Sequence, residues 1–402
     1  MAAARELGVA VAVASERRAA MSAAMGERAL TLRLSDPSDA AEAIVARARD
    51  TPFAAIVGVD DQGVMAAALA SQRLGLPHNP PAAVAHTRDK AAMRRVLEVA
   101  NVPQPRFVLL AASDDLPAAV REAGLPCVVK PLSLSGSRGV IRANDSDQAR
   151  AAVSRVRGIL AAAGHCDHAP LLLESYLPGA EVAVEGLLRS GRLEILAIFD
   201  KPDPLEGPYF EETLYVTPSR LGATVLAEAE RVTPRAALAL GLREGPIHAE
   251  LRVHEGNVSV LELAARSIGG LCSRALRFGA GVSLEQLILR HALGLTLEEL
   301  PREPGAAGVM MIPIPRGGTL AQVDGQERAR AVPGVGGLED HNRARAPGRT
   351  PAGGRSLPGL PVRARAHPRG GGALPAPSSP LPGYPHRAVA RVHRPGGGGP
   401  LA

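Results

Sequence analysis

The chain has 402 residues, 46% of them hydrophobic, enough for two or three packed domains. Cys127, Cys166 and Cys272 are too far apart for a close-spaced zinc or redox motif, and no apolar run approaches the roughly 20 residues that span a bilayer. The formal charge of +6 belongs to the C-terminal end: after Asp340 there are 10 Arg and no acidic residue, so the remainder carries 36 basic and 40 acidic side chains, and without Trp there is no basic-aromatic patch for nucleic acid.

These features predict a soluble, cytoplasmic protein that works on neither membranes nor nucleic acids. Lysine usage is informative, because only Lys90, Lys130 and Lys201 stand against 43 arginines. A lysine kept against that bias suggests a compact point charge, of the kind presented to a single phosphate oxygen.

Along the chain, the apolar pattern predicts a helix over 2–7, strands over 9–14, 30–34 and 54–59, and helices over 40–49 and 63–74. This βα punctuation implies a small parallel sheet flanked by helices, with Asp60-Asp61 at its functional edge. The unit opens without a first strand, so about 20 to 30 further residues are expected upstream. A turn-rich linker with Pro77, Pro80 and Pro81 ends this lobe near residue 85. Beyond it come a helix over 89–100, strands over 127–130 and 140–142, a helix over 151–162, a strand over 171–175, and a hairpin of 181–189 with 193–199.

Three segments carry chemistry. In the first, a strand delivers Lys130 into a Ser/Gly loop over 133–139, where Ser135, Gly136 and Ser137 let backbone N–H groups close on phosphate oxygens. In the second, the strand 171–175 breaks at Glu174-Ser175-Tyr176-Leu177, a hinge whose free backbone groups suit an adenine edge, with Glu181 placed to accept ribose hydroxyls. The third is a hairpin over 245–266. If its loop is the three residues 255–257, Glu250 faces Glu262 with Cβ atoms about 5 Å apart. Two carboxylates so close require a cation such as Mg²⁺ or a shared proton, whereas a two-residue loop puts them on opposite faces. Arg266 follows, able to fork onto a carboxylate or an acyl phosphate. Between hinge and hairpin, residues 199–219 hold four of the nine aromatics and read as a substrate-facing loop, with Lys201, Tyr209 and Glu211 as candidates.

The order of Lys90, Lys130 with its Gly-rich loop, the hinge 174–177, and Glu250, Glu262 and Arg266 resembles the ATP-grasp superfamily, on the L-amino-acid ligase and biotin carboxylase-like side. The resemblance covers residues 85–295. It implies two α+β lobes clamping ATP after a βα lobe. It also implies that Lys90 and Lys130 contact phosphates, that 174–177 hold adenine and Glu181 ribose, that Glu250 and Glu262 hold Mg²⁺ with Mn²⁺ as an alternative, and that Arg266 and Lys130 take catalytic parts. Where the family reads Glu-Ile-Asn-Pro-Arg this chain reads Glu262-Leu-Ala-Ala-Arg266, and Ala264 cannot ligate metal. The implied reaction joins a carboxylate to an amine through an acyl phosphate, with small-molecule substrates and a homodimer as a further expectation. Alternatives are carboxylation of the biotin carboxylase type and nucleotide binding without catalysis.

The expected organisation is a lobe over 1–85, the ATP-grasp domain over 86–295, the start of a small C-terminal lobe over 296–339, and a tail over 340–402. Strands are expected at 308–315 and 331–338. The tail has 12 Pro, 12 Gly and 10 Arg in 62 residues. It is expected to be disordered and to reflect a shifted reading frame.

Overall fold

The structure, a computed structural model, describes residues 1–17, 22–166, 168–279, 281–297, 300–312, 319–338, 361–365 and 390–393. In the N-terminal lobe β1 (Val13–Ser15) and β2 (Ala29–Thr31) pair in parallel, as expected. Helices Pro37–Asp50 and Gly63–Leu74 flank them, the first opened by Asp36, whose side chain accepts from Asp39 N. The strand expected over 54–59 does not form a ladder. Its backbone packs on the helix instead: a Cβ on Gly58 would stand 2.6 Å from Val64 Cα.

The next lobe is a four-stranded antiparallel sheet in the order β3 (Phe107–Leu110), β6 (Leu171–Ser175), β4 (Cys127–Pro131), β5 (Ile141–Ala143). Helices Leu116–Ala123 and Ser146–Ala162 cover one face, burying Val129, Leu171, Leu173, Val153 and Val156. A larger antiparallel sheet follows. It runs β11 (Asn257–Ala264), β10 (Gly245–His254), β7 (Ala180–Arg189), β8 (Arg192–Lys201), β9 (Leu214–Thr217), β14 (Ala307–Met311), β17 (Pro361–Arg365), β16 (Val335–Leu338). Helices Lys90–Val99 and Ala223–Ala239 pack on one side, where Met93, Leu97, Val232 and Ala236 meet Val184, Leu251 and Val260. Helix Leu284–Ala292, started by a Ser283/Gln286 capping box, packs on the other side with Phe199, Tyr215 and Phe278. Two small pairs remain, β12 (Arg277–Phe278) with β13 (Val282–Ser283), and β15 (Thr319–Val323) with β18 (Ala390–His393).

Of the strand expected at 308–315, the described part is Ala307–Met311, which finds a partner in β9, and 313–315 lie outside the described residues. Within the stretch expected to be disordered, β17 and β18 are described as strands, because each alternating run meets an open edge, at β14 and β15 respectively. The rest of that tail, 340–360, 366–389 and 394–402, lies outside the described residues. No helix among the described residues is long and apolar enough to cross a membrane.

Candidate active site

Positive charge gathers where β4 ends. Lys130 lies on a strand whose five residues are all buried, and its Nζ stands 2.6 Å from Glu174 Oε2 on β6. Arg94 donates from Nε to the other Glu174 oxygen at 2.6 Å, and from Nη2 to the Leu261 carbonyl at 2.6 Å. Two cations thus share one carboxylate. Burial pushes Glu174 up, but Arg94 and Lys130 override it and hold the carboxyl below its usual range. Burial pushes Lys130 down; Glu174 opposes this, while Arg94 and Lys90 add to it. Lys90 starts its helix behind Asp89, which caps it by accepting from Ala91 N and Ala92 N. The Lys90 Nζ donates to the Leu134 carbonyl at 2.9 Å and lies 3.2 Å from Glu262 Oε1.

The Ser/Gly loop is held at its base, where Lys90 N donates to the Leu132 carbonyl at 3.1 Å. Ser135 and Gly136 are exposed and Ser137 is half-buried. Gly139 has φ of 76°, and a Cβ there would press on the Pro131 ring at 3.2 Å, so glycine is needed for the loop to return along β4.

At the hinge, the Glu174 carboxylate faces Lys130 and Arg94. Ser175 Oγ accepts from Arg106 N, and Tyr176 N donates to the Pro126 carbonyl. The Tyr176 ring lies under the Arg142 guanidinium at 4.0 Å. Leu177 is half-buried, and its N–H and C=O have no hydrogen-bond partner among the described residues. Those groups are what an adenine edge uses.

The hairpin reaches the expected pairing by another route. Its loop is two residues, Glu255 and Gly256, at φ of 49° and 82°, with His254 opposite Asn257. Continued regularly, that register would set Glu250 and Glu262 on opposite faces. A β-bulge between Glu250 and Leu251 absorbs one residue of β11, and Glu250 then pairs with Glu262. The added residue, Leu261, is the one whose carbonyl Arg94 holds.

Negative charge gathers around Lys201. Its buried Nζ lies 2.7 Å from Glu181, 2.8 Å from Glu212 and 3.2 Å from Glu250. These three carboxylates offer oxygens within 4.8 Å of one another. Burial would lower Lys201, but the three carboxylates hold it well above its ordinary value. Burial, helped by Glu250 and Glu181, raises Glu212 against the pull of Lys201. Burial also works to raise Glu250, but Lys201 and His248 hold it well below the usual range. Glu181 is doubly engaged, with Arg252 Nη2 3.1 Å away. His248 bridges Glu185 at Nδ1 and approaches Glu250 at 3.5 Å from Nε2. Tyr209 is exposed on the edge beside Ile141, Glu211 is exposed, and Glu212 next to it is half-buried and turned toward Lys201.

Arg266 forks onto Asp61 of the N-terminal lobe, Nε to Oδ1 and Nη2 to Oδ2, both at 2.9 Å. Arg88 stands 3.2 Å from the same carboxylate. Burial raises Asp61, but Arg266, Arg88 and the Ser135 hydroxyl outweigh it and lower its pKa.

Glu212, Arg94, His248 and Asp61 join the site beyond the residues expected from the sequence. His248 and Glu250 share a strand face by their spacing of two, and Asp61 ends the segment expected to form the functional edge; both signals were present. Arg94 and Glu212 carry no such mark.

Residues 1–78 match the ATP-grasp N-terminal domain family and residues 123–275 match the ATP-grasp domain family. A D-alanine–D-alanine ligase of Cupriavidus pinatubonensis is 28% identical over 298 residues, covering 70% of this chain and 86% of that protein. The alanine–anticapsin ligase of Bacillus subtilis is 28% identical over 239 residues, covering 55% of this chain. The chain spans 50% of that ligase's length, and 56% of an uncharacterized Sinorhizobium fredii protein that is also 28% identical. The crystal structure of an L-amino acid ligase from Bacillus licheniformis superposes with a TM-score of 0.74 at 24% identity, covering 91% of this chain and 89% of that one, which shows a shared fold. Both family matches, in chain order and on the fold described, make this chain an ATP-grasp domain protein.

Proposed function

We propose that the chain is an ATP-dependent carboxylate–amine ligase that works through an acyl phosphate. The observation that carries this is the split of charge in the cleft. Lys90, Arg94 and Lys130 leave surplus positive charge beside the Ser/Gly loop, while Glu250 and Glu262 face each other on the hairpin. An anionic triphosphate fits the first, and a hard cation fits the oxygen donors of the second, whose side chains are 24% and 31% exposed.

On this reading Lys90 and Lys130 neutralise phosphate oxygens, and Ser135, Gly136 and Ser137 cover them. The free backbone of Leu177, with Tyr176 and Ser175, receives the adenine. Glu174 holds Lys130 in place rather than touching the base, and Glu181 reaches ribose only by loosening from Lys201 and Arg252. Bound Mg²⁺ would screen the phosphoryl charge between Glu250 and Glu262. Arg266 steadies the developing charge on the acyl group once it turns from Asp61. Phosphoryl transfer requires positioning and charge neutralisation rather than a protein nucleophile. The domain reading that accompanies this is 1–85, 86–295 and 296–339.

The relatives named as joining amino acids support amino-acid substrates. The test is ADP release from MgATP across a panel of amino acids offered singly and in pairs. Stimulation by amino-acid pairs is expected. Stimulation by bicarbonate with biotin instead, or by nothing despite nucleotide binding, would overturn the ligase reading in favour of carboxylation or of binding alone.

A further inference from the structure

The segment joining β8 to β9 is a strap between the two sheets. It leaves the large sheet after Lys201 and returns at Leu214, and Asp203 closes its neck. That carboxylate accepts from Thr213 N at 2.7 Å, Thr213 Oγ1 at 2.6 Å and Leu214 N at 3.0 Å. The strap's middle docks on the other sheet. Arg142 N, on edge strand β5, donates to the Pro208 carbonyl at 2.9 Å, Ile141 bridges Tyr209, and Leu205 and Phe210 bury against Val128 and Tyr176. Two arginines hold consecutive carbonyls from opposite sides: Arg142 Nη1 takes Glu206 O at 2.7 Å, and Arg252 Nη2 takes Leu205 O at 3.3 Å. The approach is so close that a Cβ on Gly207, at φ of 95°, would stand 2.8 Å from Arg142 Cβ.

The same Arg142 guanidinium lies 4.0 Å from the centroid of the Tyr176 ring in the hinge. One side chain therefore touches both the hinge and the strap, and the strap's two ends carry Lys201 and Glu212 of the acid cluster. We propose that Arg142 is a positioning residue that clasps the strap to Tyr176, so that nucleotide at the hinge sets the placement of Lys201 and Glu212. The inference rests on the reading of 174–177 as a nucleotide hinge. A cation over an aromatic face with two neutral acceptors at its edge, the Glu206 carbonyl and Asn144 Oδ1 at 2.9 Å from Nε, is a directional contact, unlike a surface ion pair.

The chain contains its own reporter. It has no Trp, and three of its four tyrosines, Tyr176, Tyr209 and Tyr215, lie on the hinge, the strap or β9. The experiment compares the full chain with Arg142→Ala by amide hydrogen exchange, without nucleotide and with MgADP, and by tyrosine emission during MgADP titration. In the variant, exchange over 204–210 should accelerate about tenfold while 171–175 keeps its wild-type protection. The emission change on MgADP binding should be lost. Arg142→Lys, which keeps a cation over Tyr176, should recover part of it. Wild-type exchange over 204–210 in Arg142→Ala, or an intact emission change, would overturn the proposal. If Arg142→Ala does not fold, Gly207→Ala strains the same contact from the other side and is judged by the same two readouts. Failure of the wild-type chain to bind MgADP in calorimetry would overturn the nucleotide reading and its coupling to the strap, and the nucleotide-free exchange would still decide whether Arg142 fastens the strap.

Discussion

Two buried ion networks sit on the two sheets, and they are built with opposite surpluses. On the small sheet, Arg94 and Lys130 share the single carboxylate of Glu174, and positive charge is left over. On the large sheet, Lys201, Arg252 and His248 stand among the four carboxylates of Glu181, Glu185, Glu212 and Glu250, and negative charge is left over. Neither surplus is what stability alone favours, since burying an unbalanced charge costs free energy. The imbalance has a use if a polyanion joins the first network and a cation the second. What each network does when its shared ion is removed is the sharpest way to test the contrast.

The largest effect should come from Lys201→Met, which leaves Glu212 without a cation, Glu181 with only Arg252 and Glu250 with only His248. A loss of about 3–5 kcal/mol in urea unfolding at pH 7 is expected. Much of it should return near pH 5, where the acids can take up protons. Equal stability at both pH values would show that Lys201 does not hold the cluster together.

Lys130→Ala should behave differently, because Glu174 retains Arg94. Its stability should change little, whereas MgADP affinity should drop by about 1.5–3 kcal/mol in calorimetry. A variant that unfolds but binds normally would reverse the roles assigned to the two networks.

Asp61→Asn tests the joint between the N-terminal lobe and the hairpin. The pKa of Asp61 is lowered in the folded state, so its contribution is complete above about pH 4 and is lost as pH falls through the folded value. At pH 7 the variant should lose about 1–2 kcal/mol, and its acid unfolding curve should fall less steeply than wild type below pH 4. Parallel curves would mean that the Arg266 fork contributes nothing net.

The smallest effect is at the hairpin tip. Glu255 is a non-glycine residue at φ of 49°, where asparagine is better tolerated. Glu255→Asn should raise stability by about 0.5 kcal/mol in thermal unfolding and leave nucleotide binding unchanged.

Much of this was legible in residue order alone. Lys130, the hinge and Glu250 facing Glu262 all emerge from strand alternation and the placement of glycines, and the helix over Gly63–Leu74 matches its expected limits. The bulge was not legible, because a two-residue loop with one extra residue and a three-residue loop without it place the acids alike. The sequence points to Glu211, but of two adjacent acids it does not show which turns inward, a choice made by the Asp203 neck and the Tyr215 hydroxyl bound to Glu212. The apolar content of 54–59 suggests a strand, yet no ladder forms where Gly58 packs on Val64.

The bulge in β11 also separates two things that a regular hairpin ties together, the length of the tip and the face on which the acids stand. In an unbroken ladder, gaining or losing one residue at the tip inverts every side chain beyond it. Here Leu261 acts as slack: a tip one residue longer needs only a regular β11 to keep Glu250 opposite Glu262. A single-residue insertion at 255–256 should therefore survive in this hairpin, while an insertion between Leu261 and Glu262 would carry the acid to the wrong face.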